Sequence, residues 1–189
     1  LKITAITQWG VSKWTTMNAS YYGCSNLTIT ATDQATAATT TVTDFTDAFR
    51  ACSSLTTMPA IPVASGTNFT RCWRDCTALT GFVARSFAAA TNFTETWRGC
   101  SGMTTFGIQT SITLVTNLTS AWQGCTGLTA FPVITFSGAT TIVSTWQGCT
   151  SLTTFPATTY AAATNFTSAW QGNTGMTTFG NIVATNGAN

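Results

Sequence analysis

The chain has 189 residues, of which only 7 are Lys or Arg, 5 are Asp or Glu and none is His. A 6% charged fraction and a net charge of +2 leave no basic patch for nucleic acid. The absence of His removes Ser-His-Asp triads, Cys-His dyads and His-ligated zinc. No stretch approaches the ~20 consecutive apolar residues of a membrane helix, so no membrane insertion is expected. The chain opens on Leu1 with no charged-then-apolar leader and no lipidation signal. A processed product or a segment of a longer polypeptide is the expectation.

Residues 1–13, with Trp9, are expected to form an N-terminal cap or docking segment. Residues 14–183 then repeat themselves as one domain, and 184–189 form a tail. Six Cys and one Asn mark the units: Cys24, Cys52, Cys76, Cys100, Cys125, Cys149 and Asn173, at intervals of 28, 24, 24, 25, 24 and 24. The first unit is degenerate, and its extra residues fall within the polar stretch 30–43, read as a loop or an expanded coil. Three residues before each marker stands an aromatic: Tyr21, Phe49, Trp73, Trp97, Trp122, Trp146 or Trp170. Seven before stands Met17, Phe45, Phe69, Phe93, Leu118, Ile142 or Phe166, and three after stands Leu or Met. Six after, from the second unit on, stands Met58, Phe82, Phe106, Phe131, Phe155 or Phe179.

With the marker as position zero, apolar or small residues at −7, −4, −3 and 0 follow the i, i+3, i+4, i+7 rule of one helix face. The −8 position holds Thr16, Asp44, Asn68, Asn92, Asn117, Thr141 and Asn165, all good N-caps. Gly at −1 in five units suits a left-handed helix terminus. The spacing thus predicts a helix of about two turns per unit. The following Leu-Thr-x-Phe predicts a short buried strand, ended by Pro at Pro59, Pro132 and Pro156. One such unit cannot enclose a core and must stack on its neighbours.

The pattern N-F-T-x-x-W-x-G-C-x-x-L-T-x-F-P resembles the BspA-type leucine-rich repeats of bacterial surface proteins. Its Trp-rich form, W-Q-G-C-T-S-L-T-T-F-P at 146–156, is similar to repeats in phage structural proteins. The resemblance covers roughly residues 14–183. It implies a right-handed leucine-rich-repeat-like solenoid, on a virion or outside a cell, used for structure or adhesion, and it carries no catalytic residues. The expected fold class is an α/β repeat of about seven 24–25-residue coils, each with a short helix and a short strand.

The candidate chemistry is sparse. The aromatic column at Trp73, Trp97, Trp122, Trp146 and Trp170 is read as a core ladder. Burying one Trp gives about 5 kcal/mol gross, an upper bound, from ~200 Å² at ~25 cal/mol/Å². Cys52, Cys76, Cys100, Cys125 and Cys149 are read as a second, reduced ladder. Their side-by-side Cβ vectors suit a disulfide poorly, and Asn173 in the same column speaks against a metal. Cys72, in the small −4 column, is the odd seventh cysteine.

Thr stands at +4 in every unit. A polar strand face that grips a glycan or a protein makes Thr57, Thr105, Thr154 and Thr178 the candidate binding residues. Ice binding is disfavoured, because +5 and +7 are mixed. Six N-x-S/T sequons occur at Asn18, Asn26, Asn68, Asn92, Asn117 and Asn165, four of them in the −8 column and read as helix caps. Asp47, Arg71 and Glu95 at −5, with Arg50, Arg74 and Arg98 at −2, read as a solvated face stitched by ion pairs. No cofactor, metal or enzymatic activity is expected. The expected partners are other virion or surface proteins, the chain itself end to end, and a host glycan.

Overall fold

The computed structural model describes residues 2–10, 13–33, 41–58, 61–107, 109 and 112–185. Residues 34–40 of the expanded stretch, Pro59 and the tail at 186–189 lie outside the described residues. Successive units stack as coils. A continuous row of parallel bridges runs through the −8 column, from Thr16 to Asp44, Asn68, Asn92, Asn117, Thr141 and Asn165. Strand pairs join other parts of the coils: β1 (Ala5–Ile6) with β2 (Thr28–Ile29), and β3 (Gly81–Phe82) with β4 (Thr105–Phe106). Further on, β5 (Thr154–Phe155) and β6 (Thr158–Thr159) pair in parallel with β7 (Thr178–Phe179) and β8 (Ile182–Val183).

The expected α/β solenoid, with a helix in each coil, does not form: no described residue lies in an α-helix, and the segment before each marker is made of turns. The segment from −8 to 0 is instead a chain of turns. Its −5 residue has positive φ in every coil: Ala19, Asp47, Arg71, Glu95, Ser120, Ser144 and Ser168, at 51–55°. The −1 residue does too, at Gly in five coils and at Ala51 (58°) and Asp75 (61°) in the others. A left-handed residue every fourth position unwinds any helix.

The backbone amides show what replaces it. In the coil centred on Cys100, Thr96, Arg98 and Cys100 donate three residues back, to Phe93, Glu95 and Trp97, at 3.1–3.2 Å. The alternate amides leave the coil. Phe93, Glu95, Trp97 and Gly99 donate to the carbonyls of Asn117, Thr119, Ala121 and Gln123 in the next coil, at 2.8–2.9 Å. An i→i−4 helix would have kept these donors to itself. Here they tie one winding to the next.

Because each coil is bonded in register, equal columns lie over one another. Trp73, Trp97, Trp122, Trp146 and Trp170 stack with centroids 5.0–5.9 Å apart and planes within 10°. Phe82, Phe106, Phe131, Phe155 and Phe179 form a second stack at 5.4–5.6 Å. The two stacks meet edge to face, as in Trp97–Phe106 at 5.0 Å and 79°, a preferred aromatic geometry. Trp73, Trp97, Trp122 and Trp146 are wholly buried. Trp170 and Phe179, in the last described coil, are not.

At the N-terminal end, Trp9 is buried and lies edge-on to Tyr21 and Trp14 at 6.3 and 6.4 Å. The amides of Trp9 and Gly10 donate to the Asp33 carboxylate at 2.9–3.0 Å. At the other end, the Asn173 side-chain carbonyl accepts the Cys149 amide at 2.9 Å. The Cys149 amide also keeps the bond three residues back, to Trp146, that the other marker amides make.

The left-handed −5 position gives a direct test. A β-branched residue is strained there and Gly is not, so Ser144→Val should destabilise the chain by about 1–2 kcal/mol. Ser144→Gly should cost nothing or add a few tenths, both read from urea denaturation midpoints.

Candidate functional site

The inward columns hold no exposed reactive group. The Sγ–H groups of Cys52, Cys76, Cys100, Cys125 and Cys149 donate to the carbonyls of Tyr21, Phe49, Trp73, Trp97 and Trp122, each one coil back and each at 3.1 Å. All seven cysteines are free and buried. Burial pushes the Cys52 and Cys149 thiols up to about 12. It pushes Cys72, Cys76, Cys100 and Cys125 well above the usual thiol value. A thiol held protonated in this way is a poor nucleophile at neutral pH. Among the described residues no group of three or more His, Cys, Asp or Glu converges on a metal site.

The outer face of the turn segment is a set of side-chain ladders. The Asn at −8 does not cap a helix. Its Oδ1 accepts from the amide two residues on, as in Asn68 to Thr70 at 3.1 Å and Asn92 to Thr94 at 2.9 Å. The hydroxyl of the same Thr donates to that Oδ1 at 2.7 Å. The N-x-T sequon is therefore used here as an Asx turn. Asn68 also donates through Nδ2 to the Thr46 hydroxyl one coil back at 3.0 Å.

Charges occupy only the first coils, and none follows Arg98. Arg71 grips Asp47 with two bonds of 2.8 Å. Glu95 pairs with Arg98 in its own coil and with Arg74 of the preceding coil, the latter at 2.6 Å. The Arg71 guanidinium holds the Asp47 carboxyl below its ordinary value. Burial pushes Glu95 up, but the Arg98 and Arg74 guanidiniums outweigh it and bring its carboxyl down. From the next coil on, Gln123, Gln147 and Gln171 continue the ladder without charge, Gln123 donating to Gln147 and Gln147 to Gln171.

Thr supplies the remaining exterior. At +4, the amide and hydroxyl of one residue chelate a single carbonyl one coil back. Thr80 does so on Thr56 at 3.1 and 3.2 Å, and Thr104 on Thr80 at 2.9 and 3.1 Å. The same device fills the −9 column, where all seven residues are Thr: Thr15, Thr43, Thr67, Thr91, Thr116, Thr140 and Thr164. Thr91 there donates to the Thr67 carbonyl at 2.9 and 3.1 Å. This column is as uniform in the sequence as that at +4, and its composition is the signal that marks it.

Of the candidate binding residues, Thr57, Thr105, Thr154 and Thr178 are all exposed, in the +5 column. Thr154 and Thr178 are direct bridge partners on a flat stretch. Thr57 and Thr105 flank Gly81, where a shallow groove of ≈ 470 Å³ opens across the strand face. Thr56, Thr80 and Val83 are among its other lining residues, and no charged side chain lines it. Val83 is 57% exposed there. The structure thus brings Thr57 and Thr105 to one place and leaves Thr154 and Thr178 elsewhere.

No protein-family model, curated protein or solved structure matches the chain. No helix among the described residues is long and apolar enough to cross a membrane.

Two outcomes follow from this geometry. A thiol reagent at mildly alkaline pH should find no reactive cysteine in the folded chain and seven after denaturation; an ordered disulfide would leave fewer. The pH dependence has a definite sign. Asp47 and Glu95 have lowered values, so their stabilisation is present above the ordinary 3.8 and 4.5 and is lost as pH falls below them. Urea midpoints should drop on acidification through that range. The drop should be smaller in Asp47→Asn, whose midpoint is lower at neutral pH.

Proposed function

We propose that this chain is a non-catalytic structural and attachment protein of a phage virion, as a tail, fibre or decoration component, working through protein or glycan contacts. The observation that carries this reading is the division of labour between inside and outside. All seven cysteines are buried, and burial holds the Cys72 and Cys100 thiols well above the usual thiol value. The exterior is a repeated polar surface of Thr, Asn and Gln bonded from coil to coil. Such a stack transmits load along its axis and displays side chains at fixed intervals, and it brings together no acid, base and nucleophile.

The segment 146–156 points to a particle in particular, through its likeness to the Trp-rich repeats of phage structural proteins. A bacterial cell-surface adhesin or filament-forming protein is the second reading, favoured by the wider likeness to BspA-type repeats. Both place the chain at an extracellular or virion surface. Immunogold labelling with an antibody to the folded chain, together with mass spectrometry of purified particles and of cell envelopes, separates them. The expected result is label on the outside of intact particles. Label on the envelope alone would favour the adhesin, and label confined to the cell interior would overturn both.

A further inference from the structure

The +5 column reads Thr57, Gly81, Thr105, Ala130, Thr154 and Thr178. At Gly81 the rank of outward side chains is missing its Cβ, and a notch opens between Thr57 one coil before and Thr105 one coil after. A Cβ placed on Gly81 would lie 2.8 Å from the Thr105 Oγ1, so the Thr105 hydroxyl leans over the gap. Thr57 and Thr105 are two coils apart, about 9.6 Å at the usual ~4.8 Å strand spacing, which leaves room for one small ring between them.

The polar groups at this place are unlike those of the neighbouring ladder. The Thr80 hydroxyl spends its proton on the Thr56 carbonyl at 3.2 Å and faces outward only as an acceptor. The Thr57 and Thr105 hydroxyls have no hydrogen-bond partner among the described residues and can both donate and accept. Beside them, two residues on from Gly81, Val83 adds an exposed aliphatic side chain to the lining, and the Phe82 and Phe106 rings are buried. The lining offers no countercharge to an ion and no exposed aromatic face to a planar ring. It offers hydroxyls on two sides and a C–H surface alongside, which is the complement of a pyranose: hydroxyls around the edge, C–H groups on the face.

We infer that the groove at Gly81 is a binding site for one unit of a neutral saccharide, held by the Thr57 and Thr105 hydroxyls against Val83. This rests on the attachment reading and gives its glycan contact a place and a chemical class. The groove is open and lacks an aromatic platform, so a single site binds weakly, with Kd in about the millimolar range. Repetition of the chain on one surface would multiply that by avidity.

Saturation-transfer NMR on the full chain tests the site, with maltose, cellobiose, lactose and N,N′-diacetylchitobiose as neutral probes and sialyllactose as the charged one. At least one neutral disaccharide should bind. Gly81→Thr, which restores the side chain that Thr154 and Thr178 show the column accepts, should weaken it by roughly tenfold. Thr57→Val combined with Thr105→Val keeps the shape, removes the free hydroxyls and should weaken binding comparably, so the test survives if Gly81→Thr does not fold. Thr154→Val should change nothing. Absence of binding by every neutral probe, unchanged binding in both groove variants, or binding of sialyllactose alone would overturn the site. If the site fails while the chain is still found on particle exteriors, only the sugar groove is refuted. If the chain is absent from particles and envelopes, it is the attachment reading that fails.

Discussion

The left-handed residue at −5 is the constraint on which the rest of this structure depends. It turns the amides at −7, −5, −3 and −1 out of their own coil and onto the carbonyls at −8, −6, −4 and −2 of the next. A non-Gly residue in that region costs about 1–2 kcal/mol, and the chain accepts the cost at Asp47, Arg71, Glu95 and Ser144 alike. The compensation is that each junction is closed by several backbone hydrogen bonds in one register. Register then does the packing. Trp falls on Trp and Phe on Phe, and the two stacks meet edge to face.

The side-chain ladders follow the same logic at smaller energies. Thr, Asn and Cys each reach one coil back along the axis, to a carbonyl or a hydroxyl that register has placed there. Thr does this with two donors to one acceptor, which locks its rotamer and leaves only lone pairs facing solvent. Cys fits because it is small, apolar enough to bury and still able to donate weakly. The charged pairs of the first coils and the Gln pairs of the later ones are interchangeable solutions to the same geometric problem. Each exposed ion pair is worth only ~0–1 kcal/mol, so a wholly neutral second half loses little stability. It loses electrostatic steering instead, and any partner of that half must be recognised by hydrogen bonds and shape.

The informative positions are those where a column breaks its own rule. Asn173 replaces Cys and turns its side-chain carbonyl onto the Cys149 amide. Gly81 interrupts the Thr rank and opens the groove. A periodic scaffold makes such departures visible, because every other coil shows what the unbroken position looks like. The proposed site is therefore defined by contrast as much as by content: one coil away, the same backbone position carries the Thr105 side chain.

Much of this was legible in the residues. The period, the columns and the inward placement of the aromatics need only a constant repeat length, since equal steps along the chain put equal side chains on one line. The local conformation was not legible. Apolar residues at −7, −4, −3 and 0 satisfy a helix, but they equally satisfy a run of turns with a left-handed residue every fourth position, and Asp47, Arg71 or Ser144 give no local sign of positive φ. The choice is made by where the alternate amides go, and their acceptors belong to a coil some 24 residues away. The groove is of the same kind: Gly81 is visible in the sequence, yet only stacking sets Thr57 and Thr105 on either side of it. Spacing along a chain decides which side chains share a column; hydrogen bonds between windings decide what the backbone does there, and those exist only once the windings have met.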